Sequence, residues 1–378
     1  MEPDVPHQPA TPEQYDALLL VSFGGPEGVD DVVPFLQNVT RGREIPEERL
    51  REAGSHYFHF GGVSPINEQN RSLLNALRAH FAEVELDLPI YWGNRNWTPY
   101  LTDAIAQMEA DGVRRPLAFF TSAYSSYSGC RQYRENLADA VATVGADLLQ
   151  IDRIGPYFNH PGFVDPFIDA TVEAVQKLAD AERSAARLVF TTHSIPIAMA
   201  ESSGSTSAHD TGQPLGAYVV QHREVARLVA SAVSAQLRVE LPWDLVYQSR
   251  SGAPNVPWLE PDIDSHLQGL AAAGATAAVV VPIGFVSDHM EVMWDLDTQA
   301  RATADEVGLP MVRVATPGND PRTVAMVADL VRERIDGSVA ADRTRIGSLP
   351  PTADCCPVDC CPNPRGPRPV IGECQEAV

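Results

Sequence analysis

Residues 277–295 read AAVVVPIGFVSDHMEVMWD. An apolar, β-prone run over Ala277–Ile283 gives way to a polar and aromatic turn over Gly284–His289, and an acidic helical pattern follows. The same grammar recurs along the chain. Similar runs occupy Ala17–Phe23, Leu88–Trp92, Pro116–Ala123, Leu148–Ile154, Leu188–Thr192, Leu245–Gln248 and Met311–Ala315. Amphipathic segments separate them: Asn70–Glu85, Tyr100–Ala110, Arg134–Val144, Pro166–Arg183, Arg223–Gln236 and Pro321–Ile335. Short apolar strands alternating with helices of this length predict βαβ units and parallel sheets covered on both faces. Eight strands divide into two groups of four. The expected fold is α/β: two Rossmann-like lobes, each a four-stranded parallel sheet flanked by helices, with a cleft between them. The expected division is a disordered tail over 1–15, a first lobe over 16–165, a second over 166–340, and a Cys/Pro-rich tail over 341–378.

The chain has 378 residues, 44% of them hydrophobic, enough for a large core. A formal charge of −22 excludes the basic footprint of a nucleic-acid binder. No stretch approaches the roughly 18–20 apolar residues of a membrane helix, and the N-terminus lacks the basic start and apolar run of a signal peptide. A cytoplasmic enzyme without a membrane anchor is expected. No GxGxxG follows the first strand and no GxxxxGK[ST] occurs, so dinucleotides and nucleoside triphosphates have little support.

Ligands of such sheets bind beyond the carboxyl ends of the strands, so chemistry is sought there. His193 directly follows one strand, and Pro196 stops that strand from continuing. An imidazole at that edge takes up protons near neutral pH or donates a nitrogen to a metal, although a hydrogen-bonded loop histidine is the plainer reading. Asp288, Glu291 and Asp295 are spaced i, i+3, i+7, which on a helix capped by Ser287 places three carboxylates on one stripe. Hard oxygen ligands suit a divalent cation, and acids among Phe285, Met290, Met293 and Trp294 suit proton transfer; complementing a helix dipole is the alternative. Tyr91, Trp92, Trp97, Tyr124, Phe285 and Trp294 are candidates to line a cleft for a flat apolar ligand. Arg41, Arg43, Asn94, Arg95, Ser122 and Ser125 are candidates to hold its carboxylates.

The six cysteines are unevenly placed, with Cys130 alone and the other five between Cys355 and Cys374. Four of them, Cys355, Cys356, Cys360 and Cys361, fall within seven residues, and thiolates so close select iron–sulfur or zinc.

These motifs together resemble the ferrochelatase family from about residue 16 to residue 340. The resemblance is carried by LLLVSFGGP (Leu18–Pro26), FGGVSP (Phe60–Pro65), TTHSIP (Thr191–Pro196) and PIGFVSDHMEVMWD (Pro282–Asp295). It implies that His193 and Glu291 are catalytic, address opposite faces of a porphyrin, and handle the metal together with Asp295. It further implies the soluble bacterial branch, which inserts Fe2+ into coproporphyrin III to give coproheme for an accepting enzyme. By position it assigns Phe23, Arg41, Arg43, Ser64 and Tyr124 to the porphyrin. It assigns Cys130, Cys356, Cys360 and Cys361 to a [2Fe–2S] cluster, with Cys355 as a substitute for Cys356. A monomer is expected. Two positions depart from relatives: Phe23 stands where many have tyrosine, and Gln299 where some continue the acidic track. Rival readings are a chelatase for another metal or tetrapyrrole, a non-catalytic tetrapyrrole- or metal-binding protein, and a thiol-redox module.

Overall fold

Eight strands form, each within or beside an expected run. They are β1 (Ala17–Ser22), β2 (Ile90–Asn94), β3 (Pro116–Phe120), β4 (Asp152–Arg153), β5 (Ala186–His193), β6 (Trp243–Gln248), β7 (Ala277–Val281) and β8 (Met311–Arg313). The structure is a computed structural model and describes residues 15–42, 45–183, 185–204, 216–252, 255–339, 342–357 and 359–372. The expected disordered N-terminal tail, apart from Tyr15, therefore lies outside the described residues, as do Arg43 and Cys374.

The strands make two four-stranded sheets, ordered β2-β1-β3-β4 and β6-β5-β7-β8, and every pairing within them is parallel. The two orders are the same, so each half is one winding of a single topology. In each half the first and third strands lie side by side, while their connections leave in opposite directions. That switch point opens a crevice at the carboxyl ends of the strands. β1, β3 and β7 are buried along their whole length, as sheets covered on both faces require.

One large apolar cluster joins the halves. It includes Leu18, Leu73 and Phe119 from the first and Leu188, Val279 and Val327 from the second. The helix Pro321–Ile335, which the expected division gives to the second lobe, packs against Pro161–Lys177 and also against Ile66–Glu83 of the first. Its start is set by Asp320, whose carboxylate accepts the Arg322 N–H at 2.9 Å ahead of Pro321. The lobes are thus fixed against each other by shared core.

The tail beyond residue 341 packs few apolar side chains, Ile346, Leu349 and Ile371 among them, and polar ties hold it to both halves. Thr352 donates to Pro156 O at 2.6 Å, Asn363 donates to Glu135 at 2.9 Å, and Arg368 pairs with Asp139 at 2.7 Å. Arg343 and Arg334 both pair with Asp354.

Two glycines permit the close contacts behind the crevice. Gly24 has φ +79°, and a Cβ there would lie 2.7 Å from Asn94 Cβ. At Gly284, a Cβ would lie 2.2 Å from Thr192 Oγ1 and 2.8 Å from its Cα, so β5 and the turn after β7 touch with no room between them. Gly284→Ala is therefore expected to destabilise the fold by about 1–3 kcal/mol through overpacking. A urea midpoint equal to wild type would show that the contact relaxes freely.

Candidate functional site

The crevice of the second half holds the chemistry. His193 is the last residue of β5, and its Nδ1–H donates to the Ser194 carbonyl. A carbonyl can only accept, so Nδ1 keeps its proton and Nε2 is the working nitrogen. That nitrogen faces Glu291 Oε1 at 3.6 Å. Glu291 sits in the short helix Met290–Trp294, whose cap is His289: the His289 Nδ1 accepts the Glu291 N–H at 3.2 Å. The cap is thus two residues later than the expected Ser287. Gln248, ending β6, ties the two elements together. It accepts the Thr191 hydroxyl at 2.9 Å and donates to the Glu291 carbonyl at 3.0 Å. Behind His193, the Tyr218 hydroxyl donates to its carbonyl at 2.8 Å, and Thr192 bonds His222 at 2.9 Å.

The 3.6 Å separation leaves no room for a ring between the two side chains, as the expected arrangement on opposite porphyrin faces would need. A macrocycle between them would need about 7 Å, two carbon contacts of about 3.5 Å each.

Charge follows from that geometry. Burial works against the carboxylate of Glu291, but His193, His289 and His56 outweigh it and hold the pKa at about 2. Burial likewise opposes the imidazolium of His193, yet the Glu291 carboxylate lifts its pKa above 6.5. Asp295 behaves oppositely: burial and the neighbouring Glu291 charge push it up to about 6, against a hydrogen bond donated by Ser249. The site therefore contains a fixed anion, a base that titrates above the usual histidine range, and a carboxyl half-protonated near pH 6.

Asp288 does not join the acidic stripe. Arg313 grips both its oxygens at 3.2 Å, and Thr316 donates to it at 3.0 Å. The helix begins at Met290, too late to include it, so Asp288 and Asp295 share no helical i, i+7 stripe.

Two cavities meet at Glu291. One, of about 340 Å³, is lined by His193, Phe23, Ser64, Arg95, Ser122 and Phe285. The other, of about 530 Å³, is lined by Asp295, Asp262, Asp264, Trp294, His56 and the exposed Gln299. A Trp294 ring stacked on His56 at 4.2 Å forms part of its wall.

Other candidates are more scattered. Tyr124 borders the first cavity, but its ring lies 3.6 Å from that of His222 and its hydroxyl donates to Ile283 O at 2.9 Å, so the hydroxyl is committed elsewhere. Arg41 is exposed and bonds Asn38, away from both cavities. Tyr91 and Trp92 line a separate cavity of about 990 Å³ along the edge strand β2. Asn94 is buried and holds Thr98 O and Asn67, and Ser125 bonds Gln221. Unforeseen wall residues are Ser126, Ser128, Gln132 and Tyr57. The first three follow the Ser122–Ser125 strand end and were legible as an extension of its polar run; Tyr57 had no such signal.

A second cluster lies across the first half. Cys130, in a π-helical turn over Tyr127–Arg131, meets Cys356, Cys360 and Cys361 of the tail; all four are buried and free. Cys360 and Cys361 Sγ are 3.8 Å apart. Cys355 stands apart, disulfide-bonded, which leaves Cys356 as the converging residue. Bonds donated by neighbouring thiols, the Arg153 guanidinium and the Gly204 N–H lower the pKa values of Cys356 and Cys361, while those of Cys130 and Cys360 are pushed up. Among the described residues, no three His, Cys, Asp or Glu side chains are disposed around a single ion position.

Glu291→Gln removes the charge that lifts His193 but keeps its burial. The His193 C2–H resonance should then titrate at lower pH than in wild type. An unchanged titration would contradict the pairing.

The ferrochelatase family model matches residues 15–335. The chain is 60% identical over 363 residues to the coproporphyrin III ferrochelatase of Streptomyces griseus, spanning 95% of this chain and 96% of that one. It is 49% identical over 360 residues to the ferrochelatase of Rhodopirellula baltica, spanning 95% and 96%. Among solved structures, SirB from Bacillus subtilis with Fe3+ overlaps 86% of this chain and 97% of its own at 10% identity and a TM-score of 0.48. With a matched family model over most of its length and near-full-length relatives of this identity, the chain belongs to the ferrochelatase family.

Proposed function

We propose that this enzyme inserts Fe2+ into coproporphyrin III and releases coproheme. The observation that carries the reading is the His193–Glu291 pair at 3.6 Å, placed where an aromatic- and serine-lined cavity meets an acidic one. Fe2+ replaces two pyrrole N–H protons, so the site must accept two protons at the point where the metal arrives. The free Nε2 of His193 takes one. The Glu291 carboxylate, held ionised, draws the cation in. Asp295, near half-protonated, passes the second proton toward solvent through the acidic cavity. Gln299 at the outer end offers no charge, so a strong outer metal site is not part of this route. Phe23 likewise brings no oxygen ligand to the ring and acts as an apolar wall.

The choice of coproporphyrin is supported by the names of the Streptomyces relative and others like it, and by the first cavity's wall. Arg95, Ser64, Ser122, Ser126, Ser128 and Gln132 supply donors for propionates there. The same reading makes the enzyme a cytoplasmic monomer that hands coproheme to an accepting enzyme. Among the described residues, no helix is long and apolar enough to cross a membrane.

We further propose that Cys130, Cys356, Cys360 and Cys361 hold a [2Fe–2S] cluster. The donor set supports it: four free buried thiols converge from two distant segments, and 3.8 Å is about the tetrahedral edge expected for sulfurs some 2.3 Å from a metal. Such a cluster supplies a one-electron couple and a covalent tie between tail and body.

Coproporphyrin III should be turned over faster than protoporphyrin IX without detergent. Each lost propionate removes charge-assisted bonds of about 1.5–3 kcal/mol and leaves donors unpaired. Equal or faster turnover of protoporphyrin IX would overturn the substrate assignment. Cys360→Ser should lose iron, acid-labile sulfide and visible absorption together, since hydroxyl is a poor substitute for soft thiolate. Two irons and two sulfides per chain in that variant would rule out Cys360 as a ligand, and zinc alone in wild type would replace the cluster by a mononuclear site.

A further inference from the structure

The thiol site carries an excess of buried positive charge. Arg134 and Arg153 are 0% and 2% exposed, among the largest fully buried side chains of the protein. Arg153 Nη2 donates to Cys356 Sγ at 2.8 Å and to Ala353 O at 3.3 Å, while its Nε has no hydrogen-bond partner. Arg134 Nε donates to Ile371 O of the tail at 2.8 Å, and both of its terminal nitrogens lack partners. A guanidinium cannot shed its proton, so it cannot escape burial by neutralising as a lysine would. Buried charge of this kind requires an opposite charge nearby.

The neighbouring carboxylates are largely committed to other arginines, and at Arg153 the Asp354 charge adds less than the nearby thiols. Glu135, fully buried, faces Arg131 at 3.4 Å and accepts from Asn363 and Tyr127. Asp354 is held by Arg334 at 2.7 Å and by Arg343. Once these pairs are set aside, two guanidinium charges stand against the four thiols. Two ferric ions, two sulfides and four thiolates sum to a dianion, and one added electron makes it a trianion.

We propose that Arg134 and Arg153 are the counter-charge of the sulfur-ligated group: they neutralise its oxidised state and hold its reduction potential up. The inference rests on the cluster reading given above. Both arginines also bond tail carbonyls, at Ile371 and Ala353, so the tail and the charge balance are set by the same two side chains. Removing either cation leaves the reduced trianion less compensated, and reduction becomes harder. Charge and hydrogen bonds to sulfur are the levers by which proteins tune such centres.

The test is a reductive titration of the full-length protein as purified, followed in the visible spectrum, with iron and sulfide measured on the same samples. Arg153→Gln and Arg134→Gln are each expected to lower the midpoint so that the reduction equilibrium falls at least tenfold, about 59 mV for a one-electron couple. Arg153→Lys, which keeps the charge, is expected to stay well within that shift. Loss of the cluster in Arg153→Gln with retention in Arg153→Lys also supports the assignment. Equal loss in both is a packing effect and overturns it for Arg153, while Arg134→Gln decides the other residue. Full clusters with wild-type potentials in both Gln variants overturn the inference and leave the cluster standing. Wild-type protein without iron and sulfide overturns the cluster reading and the inference with it.

Discussion

The contact between β5 and β7 is the constraint on which the site depends. Parallel pairing in register from Ala186–Ala277 to Phe190–Val281 brings the carboxyl ends of two buried strands side by side. Gly284 then lets the turn after β7 fold against Thr192 without a side chain intervening. His193 leaves one strand and Glu291 returns from the other, and the backbone alone delivers them within 3.6 Å. Gln248, from β6, closes the triangle by bonding both elements. Because these are strands of a core shared by both halves, the pair has little freedom to drift. The opposed shifts of the two groups are a consequence of that fixed distance: each stabilises the charged form of the other against burial.

Much of this was legible in the sequence. All eight strands lay in or beside apolar runs, because parallel strands buried on both faces cannot alternate with polar residues. His193 and Glu291 announced themselves by position, at the ends of the two strands that flank the switch point. What escaped was whatever depended on exact helix starts or on partners distant in sequence. Spacing alone put Asp288 with Glu291 and Asp295, but His289, not Ser287, caps the helix, and Arg313, 25 residues on, claims Asp288. Tyr124 has the composition of a pocket residue, yet its hydroxyl is consumed by Ile283, 159 residues away. The same limit hid the spacing of His193 and Glu291. The resemblance implied opposite faces of a ring, whereas the two side chains stand 3.6 Å apart.

The tail shows the complementary case. Its cysteines were visible as a motif, but the buried arginines beside them were not, because Arg134 and Arg153 sit in segments that read as an amphipathic helix and a strand. Their burial makes sense only once the tail is folded over them. The two charged clusters thus lie in different places, the His193–Glu291 pair at the crevice of the second half and the thiols between the first half and the tail. The segment Ser122–Arg131 lies between them, with Ser122, Ser126 and Ser128 lining the cavity beside His193 and Cys130 facing the thiols.

The central claim is that His193 and Glu291 act as one acid–base unit on a single face of the tetrapyrrole. A crystal structure of the enzyme with metal-free coproporphyrin III tests it most directly. The account predicts both side chains on the same side of the macrocycle, with His193 Nε2 and the Glu291 carboxylate directed at the pyrrole nitrogens. A ring lying between the two residues, one on each face, would contradict it.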